Sequence, residues 1–239
     1  MALLALTTST HRGGVAVLAD DGRLVEVVYG DLRAHAERLF EGIDAALADA
    51  DVRRADLTAV ACDVGPGSFT GVRVGVAAAK GIALALRVPL VPITSLEAMA
   101  WAAFDGGLAG PERDVIAVID AKKGELFAAA YRSEGGEVVA RQAPTHLPPD
   151  QVVALARSLT AADCRGPMVV GEAATVAAGL LAFTSASAAG AVALPAAGAL
   201  ARLAARRLRA GTAPDAADVE PLYVRAPDAK PWPGAPPAR

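Results

Sequence analysis

Aromatic side chains make up only 4% of the 239 residues, and there are just two cysteines and three histidines. Cys62 and Cys164 lie far apart and form no CxxC pair. That argues against a disulfide scaffold or a cysteine-ligated zinc site, and the simple expectation is a reducing cytoplasm. His11, His35 and His146 show no HxxxH or HExxH spacing, so no metal site is expected from them. A basic excess is also missing: 23 Lys and Arg stand against 26 Asp and Glu. A net charge of -3 carries no signature of autonomous nucleic-acid binding, though it leaves contact with RNA through a partner open. Residues 1–6 are apolar without a preceding basic stretch, and His11 and Arg12 follow, so no signal peptide is expected.

What is present is a globular composition, with 54% hydrophobic and 21% charged residues. Much of it is alanine, which packs closely but removes little surface from water. Residues 173–201 hold no charge and are long enough to span a bilayer. Their content is mostly Ala, Gly, Ser and Thr with Pro195 inside, a poor inserter, and the expectation is buried structure without a membrane span.

The hydrophobic pattern opens with strands at 3–7, 14–19 and 24–29, the last two joined by Asp20-Asp21-Gly22, a strong hairpin signal. Leu39, Phe40, Ile43, Ala46, Leu47 and Ala50 then recur at three- and four-residue steps, predicting a helix over 34–50. A strand at 57–64, a helix at 68–86 and a strand at 89–93 follow. Thr94 and Glu97 form a capping box for the next helix. After Asp105-Gly106-Gly107 the order starts again, with strands at 115–120, 126–131 and 138–139, a helix at 150–159, a strand at 168–170 and a helix ending at 200–208. The pattern predicts two similar α/β domains, each a mixed sheet with flanking helices, over 1–105 and 106–225, and a loose proline-rich tail over 226–239.

The most unusual stretch is Gly65-Pro66-Gly67-Ser68-Phe69-Thr70-Gly71, at a strand-to-helix junction. It fails as a P-loop because Gly71 precedes Val72, where Lys is required. The glycines at 65, 67 and 71 are one step too far apart for a dinucleotide fingerprint. Free N–H groups at the helix start allow an anion site, but a rigid turn is the favoured expectation. The helix beyond is nearly free of bulk: Gly75, Ala77, Ala78, Ala79, Gly81, Ala83 and Ala85. Glycine weakens a helix, so close approach of another helix, internal or from another subunit, is expected.

Here the residues resemble a family. GPGSFTGVRVGVAAAKGIA (65–83) and VPLVPITSLEAMA (88–100) look like the signature of the bacterial TsaB family, also called YeaZ. RAHAERLF (33–40), VIDAKKGELFAAAY (118–131) and EPLYVR (220–225) resemble its other segments in the same order. The resemblance implies a reduced actin, sugar-kinase and Hsp70-like fold, with two actin-like domains, the second reduced. It implies a non-catalytic subunit for threonylcarbamoyl transfer to the adenosine next to the anticodon in tRNA. A catalytic TsaD-like subunit would hold the metal, a TsaE-like ATPase would supply ATP turnover, and tRNA would be met only through the complex. No catalytic residue, cofactor or membrane contact is implied for this chain. The partner face implied comprises His35, Leu39, Ile43, Arg73, Val76, Ala77, Lys80, Gly81 and Leu84, and it would support a homodimer when the partner is absent. Thr7 stands where the family usually has Asp, and Ala36 where it has Ser.

The first strand end, Thr7-Thr8-Ser9-Thr10, lacks the carboxylate that phosphoryl transfer needs. Asp120, at the matching place in the second half, either coordinates magnesium or starts a turn, the commoner case. Ser68 is not in a GxSxG elbow. A stand-alone ATP-dependent kinase or hydrolase, and more weakly a protease acting on the partner, are the rival expectations. Arg202, Arg206 and Arg209 share a helix face, either solvated or touching phosphates. Lys80 either meets a carboxylate across a helix interface or snorkels to solvent.

Overall fold

A computed structural model describes residues 1–30, 35–160, 166–175, 178–183, 192–211 and 215–225. The tail expected over 226–239 lies outside these residues. Strand β1 (Ala2–Thr7) is buried at every position, as a central strand covered on both faces must be. Its side chains alternate between two apolar layers: Leu4 and Leu6 face one, Leu3 and Ala5 the other. Strand β2 (Arg12–Leu18) pairs antiparallel with β1 and with β3 (Leu24–Gly30). The Asp-Gly turn between them puts Gly22 at φ +87°, where a side chain would be strained.

Helix α1 (His35–Asp49) lays Leu39, Ile43, Ala46 and Leu47 on the Leu4 and Leu6 side. Strand β4 (Leu57–Asp63), helix α2 (Phe69–Leu86) and strand β5 (Leu90–Ile93) complete a five-stranded sheet of order β3-β2-β1-β4-β5. Helix α3 (Ser95–Asp105) is capped by the Thr94 hydroxyl, which accepts from the Glu97 N–H. The second sheet is built from β6 (Val115–Lys122), β7 (Glu125–Glu134), β8 (Glu137–Leu147) and β9 (Met168–Val170), in the order β8-β7-β6-β9. Helix α4 (Pro149–Ser158) packs on it through Val152 and Ala156. In each sheet one strand, β1 or β6, carries an antiparallel hairpin on one side and a parallel strand on the other. The result is two mixed sheets with flanking helices, the second smaller.

Helix α3 lies between the sheets. Ala98 and Trp101 join the layer under β4 and β5, while Leu96, Met99, Ala100 and Ala103 join the layer under β6 and β7. Helix α5 (Ala197–Arg209) departs from the expected 106–225 unit, because its Ala and Leu face packs on β1 and β2 of the first sheet. The chain therefore returns to its first half. Arg206 pairs with Glu137, and Arg207 pairs with Glu97 and donates to the Pro92 carbonyl at 2.9 Å. The uncharged stretch 173–201 gives two short 3-10 turns and the start of α5 among its described residues, with no helix long enough to cross a membrane. Among the described residues helix α2 alone is long and apolar enough for that by length and composition, and it lies along the first sheet.

Candidate functional site

Strand β4 ends on Asp63, the one acid among its buried side chains. Its carboxylate accepts from the hydroxyls of Thr7 (2.8 Å), Ser9 (2.5 Å) and Ser95 (2.6 Å) and from the Gly65 N–H (2.8 Å). Burial raises its pKa above the ordinary 3.8, opposed by those four hydrogen bonds. The ends of β1 and β4, the loop after β4 and the start of α3 thus meet on one carboxylate. Sequence reading passed over Asp63; the available signal was an acid closing an otherwise apolar strand just before the glycine-rich turn. Its neighbour Cys62 is fully buried, and burial pushes the thiol up to about 12, so it is no nucleophile.

The loop itself closes onto the β1–β2 turn. The Ser68 N–H donates to the Ser9 carbonyl at 2.6 Å, and the Thr8 hydroxyl donates to the Gly71 carbonyl at 2.7 Å. A Cβ at Gly67 would lie 2.1 Å from the Ser9 carbonyl oxygen, and one at Gly71 2.0 Å from that of Thr8. The glycines serve close approach of backbone to backbone. Pro66 follows a cis peptide bond. Ser68 caps α2, its hydroxyl accepting from the Gly71 N–H at 3.3 Å. These contacts with Thr8 and Ser9 hold the loop as a tight turn. Among the described residues no histidine bonds to Ser68 Oγ.

Between the two sheets lies a cleft of about 230 Å³. Ser9, Thr10 and His11 line it from the first half, and Asp120, Lys122, Glu172 and Arg225 from the second. Asp120 starts a turn: it accepts from the Lys122 N–H and ammonium, both at 2.7 Å, and Lys122 sits at φ 64°. The ammonium holds the Asp120 carboxyl below its ordinary range. His11 Nδ1 lies 3.4 Å from Glu172 across the cleft. His146 meets the Val224 carbonyl at 2.8 Å. Among the described residues no group of three His, Cys, Asp or Glu side chains comes together to hold a metal.

The expected partner face divides in two. Leu39, Ile43 and Val76 are buried in the first core layer, so the structure removes them from the accessible surface. They sit on the inward stripes of α1 and α2, which the apolar period alone does not distinguish from the outward ones. Arg73, Ala77, Gly81 and Leu84 form an exposed stripe on α2, with Leu84 57% exposed. His35 opens α1, but its side chain lies outside the described residues. Phe40, 56% exposed, was in the helical period yet not assigned to the face. With Leu47, Ile82, Ala85 and Leu86 it lines an apolar groove of about 210 Å³ between α1 and α2.

Lys80 is tied within its own chain. Its ammonium donates to the carbonyls of Ala217 (2.8 Å) and Val219 (2.9 Å) of its own chain, and so is engaged before any partner arrives. Those carbonyls belong to a strap over 215–225. The Leu222 N–H donates to the Val64 carbonyl at 2.7 Å, and Arg225 donates to the Ala121 carbonyl at 2.8 Å. The strap thus runs from α2 past the glycine-rich loop to the second sheet. Nothing periodic in EPLYVR announces it.

A family model described as TsaD, tRNA N6-adenosine threonylcarbamoyltransferase, matches residues 31–231. The tRNA threonylcarbamoyladenosine biosynthesis protein TsaB of Bacillus subtilis is 33% identical over 158 residues, 65% of this chain and 63% of that protein. TsaB of Haemophilus influenzae is 40% identical over 127 residues, 53% of this chain and 52% of its own length. The matched part of this chain thus spans less than two thirds of either relative. A Pseudomonas aeruginosa crystal structure, described as a protein with similarity to peptidase YEAZ, superposes with a TM-score of 0.77 at 30% identity. That match covers 94% of this chain and 99% of the other.

Proposed function

The chain belongs to the TsaB (YeaZ) family, and from that membership we propose that it is the non-catalytic partner subunit in forming threonylcarbamoyladenosine on tRNA. It binds and activates a TsaD-like catalytic subunit, and a TsaE-like ATPase joins that pair. ATP and metal are held by those subunits, and tRNA is met through the complex in the cytoplasm. Without its partner, the same face supports a homodimer.

The observation that supports this is the mismatch between the composition of α2 and its burial. The helix is apolar enough to cross a membrane, yet only six of its eighteen residues are buried. An apolar helix face left open on a globular protein marks a place where another surface docks. Small residues at 77 and 81 let a second helix backbone come close, and a Cβ on Gly81 would meet nothing within 4 Å of it.

The test is association with the TsaD-like subunit on a sizing column, with and without ATP and the TsaE-like ATPase. Ala77→Trp and Gly81→Trp are expected to keep the melting temperature of the parent. They are expected to weaken binding of the catalytic subunit by about a hundredfold, on the order of 2.7 kcal/mol. A well-folded Gly81→Trp chain that binds with the parent's affinity refutes the placement. ATP turnover by the isolated chain on the order of 1 per second would overturn the non-catalytic assignment.

A further inference from the structure

We propose that Arg73, held against Phe69 and Tyr223, is the charged pin of the α2 docking face and that the partner protein presents a carboxylate to it. This rests on the docking role argued above and adds the chemistry of the contact. Arg73 stands one turn before Ala77 on the exposed stripe, so whatever covers Ala77 and Gly81 also reaches it. Its guanidinium carbon lies 3.7 Å from the centre of the Phe69 ring and 5.6 Å from that of Tyr223. Its Nε donates to the Tyr223 hydroxyl at 2.7 Å. The two rings are 5.3 Å apart and tilted by 37°.

In a chain with so few aromatics, both rings beside this guanidinium stand at the surface, Phe69 42% and Tyr223 46% exposed. Core packing does not account for them there; holding a cation does. Tyr223 is fixed in turn by the strap, through the Leu222 N–H on the Val64 carbonyl and the Lys80 ammonium on two carbonyls upstream. The side-chain entropy that an arginine loses on binding is therefore largely lost already, which favours a tight contact. With Nε occupied, the two terminal nitrogens are left to form the planar fork that fits a carboxylate. No carboxylate among the described residues pairs with Arg73.

A protein carboxylate fits better than a phosphate backbone. Nucleic acid is gripped by several cations in a row. Here the next cation on α2, Lys80, is engaged by its own chain, and the residues between are apolar. A single charge beside an apolar stripe is the arrangement that sets register between protein surfaces. Tyr223 acts through Arg73 and is a positioning residue.

The experiment is titration calorimetry of the full chain against the TsaD-like subunit at low and high salt, with melting curves for every variant. Arg73→Glu is expected to weaken binding roughly tenfold or more and to flatten its salt dependence. Arg73→Lys, which keeps the charge but loses the fork, is expected to recover part of the affinity and most of the salt dependence. Tyr223→Phe keeps the ring and loses the hydroxyl; it is expected to weaken binding a few-fold with the salt dependence intact. Should Arg73→Glu bind like the parent while Gly81→Trp does not, the carboxylate pin is wrong and the docking face stands. Should both bind like the parent, the docking face falls and the pin with it. Unchanged partner binding together with lost affinity for tRNA would assign Arg73 to phosphate and overturn the proposal.

Discussion

Gly71→Ala is expected to destabilise the chain by about 3 kcal/mol, an overpacking cost at the top of its usual range. The added carbon would lie 2.0 Å from the Thr8 carbonyl oxygen, and this neighbour is backbone, so no rotamer change relieves it. Thr8 cannot withdraw alone, because its hydroxyl is bonded to the Gly71 carbonyl and the next residue's carbonyl holds the Ser68 N–H. The turn and the helix start must separate together. Gly81→Ala, on the same helix with open space around it, is expected to stabilise by roughly 0.5–1 kcal/mol through helix propensity. Urea midpoints of the two variants, followed by circular dichroism, give the comparison. A Gly71→Ala chain as stable as the parent would show that the loop does not depend on this contact.

The second large effect belongs to Asp63. Asp63→Ala removes the common acceptor of three hydroxyls and one backbone N–H, all buried. Ser95 and Ser9 already lie 3.1 Å apart and can re-pair, whereas the Gly65 N–H is left without an acceptor. The cost expected is about 3 kcal/mol, counting roughly 1–3 kcal/mol for each group left unsatisfied. Asp63→Asn keeps one oxygen for Gly65 and Ser95, and its amide can donate to Thr7 and Ser9, since hydroxyls accept as well as donate. It is expected to cost about 1 kcal/mol at most.

Acidity separates the two roles further. Folding raises the Asp63 pKa above 3.8, so the folded chain holds that proton more tightly than the unfolded one. Stability from this group is present below 3.8 and is lost as pH rises through the folded value. Asparagine imitates the protonated form, so the stability of the parent relative to Asp63→Asn is expected to fall as pH increases above about 4. Denaturation of both chains across pH 4–7 measures it. A parent that gains on the asparagine variant with rising pH would show that the four hydrogen bonds outweigh burial.

How much of this was legible in advance differs by element. The hairpin at Asp20-Asp21-Gly22, the buried run of β1 and the Thr94 cap are local, and local chemistry announces them. Strand β8 runs Glu137–Leu147, where the pattern predicted only 138–139. It is an edge strand with slipped pairing to β7, and its half-exposed residues show no clean alternation. The strap has no period because single hydrogen bonds and a few isolated apolar side chains, Ala216, Val219 and Leu222, hold it, not a repeating face. The resemblance carried the partner face as a set of helix residues. It did not separate Leu39, Ile43 and Val76, which fill the core, from Ala77, Gly81 and Leu84, which face outward.

By itself, then, the amino-acid order determined the two rounds of strands and helices, the tight glycine-rich turn and a helix too apolar to be covered on one side alone. Periodicity and turn chemistry act between neighbours, so one chain suffices to read them. Only the tertiary structure decided that the turn packs backbone to backbone on the end of β1, that Lys80 is tied to its own chain, that α5 returns to the first sheet and that Arg73 stands over Phe69 and beside Tyr223. Each of these joins residues more than 50 positions apart or, for Arg73 and Tyr223, 150 apart. Such contacts follow from how the sheets stack, and no local pattern encodes them.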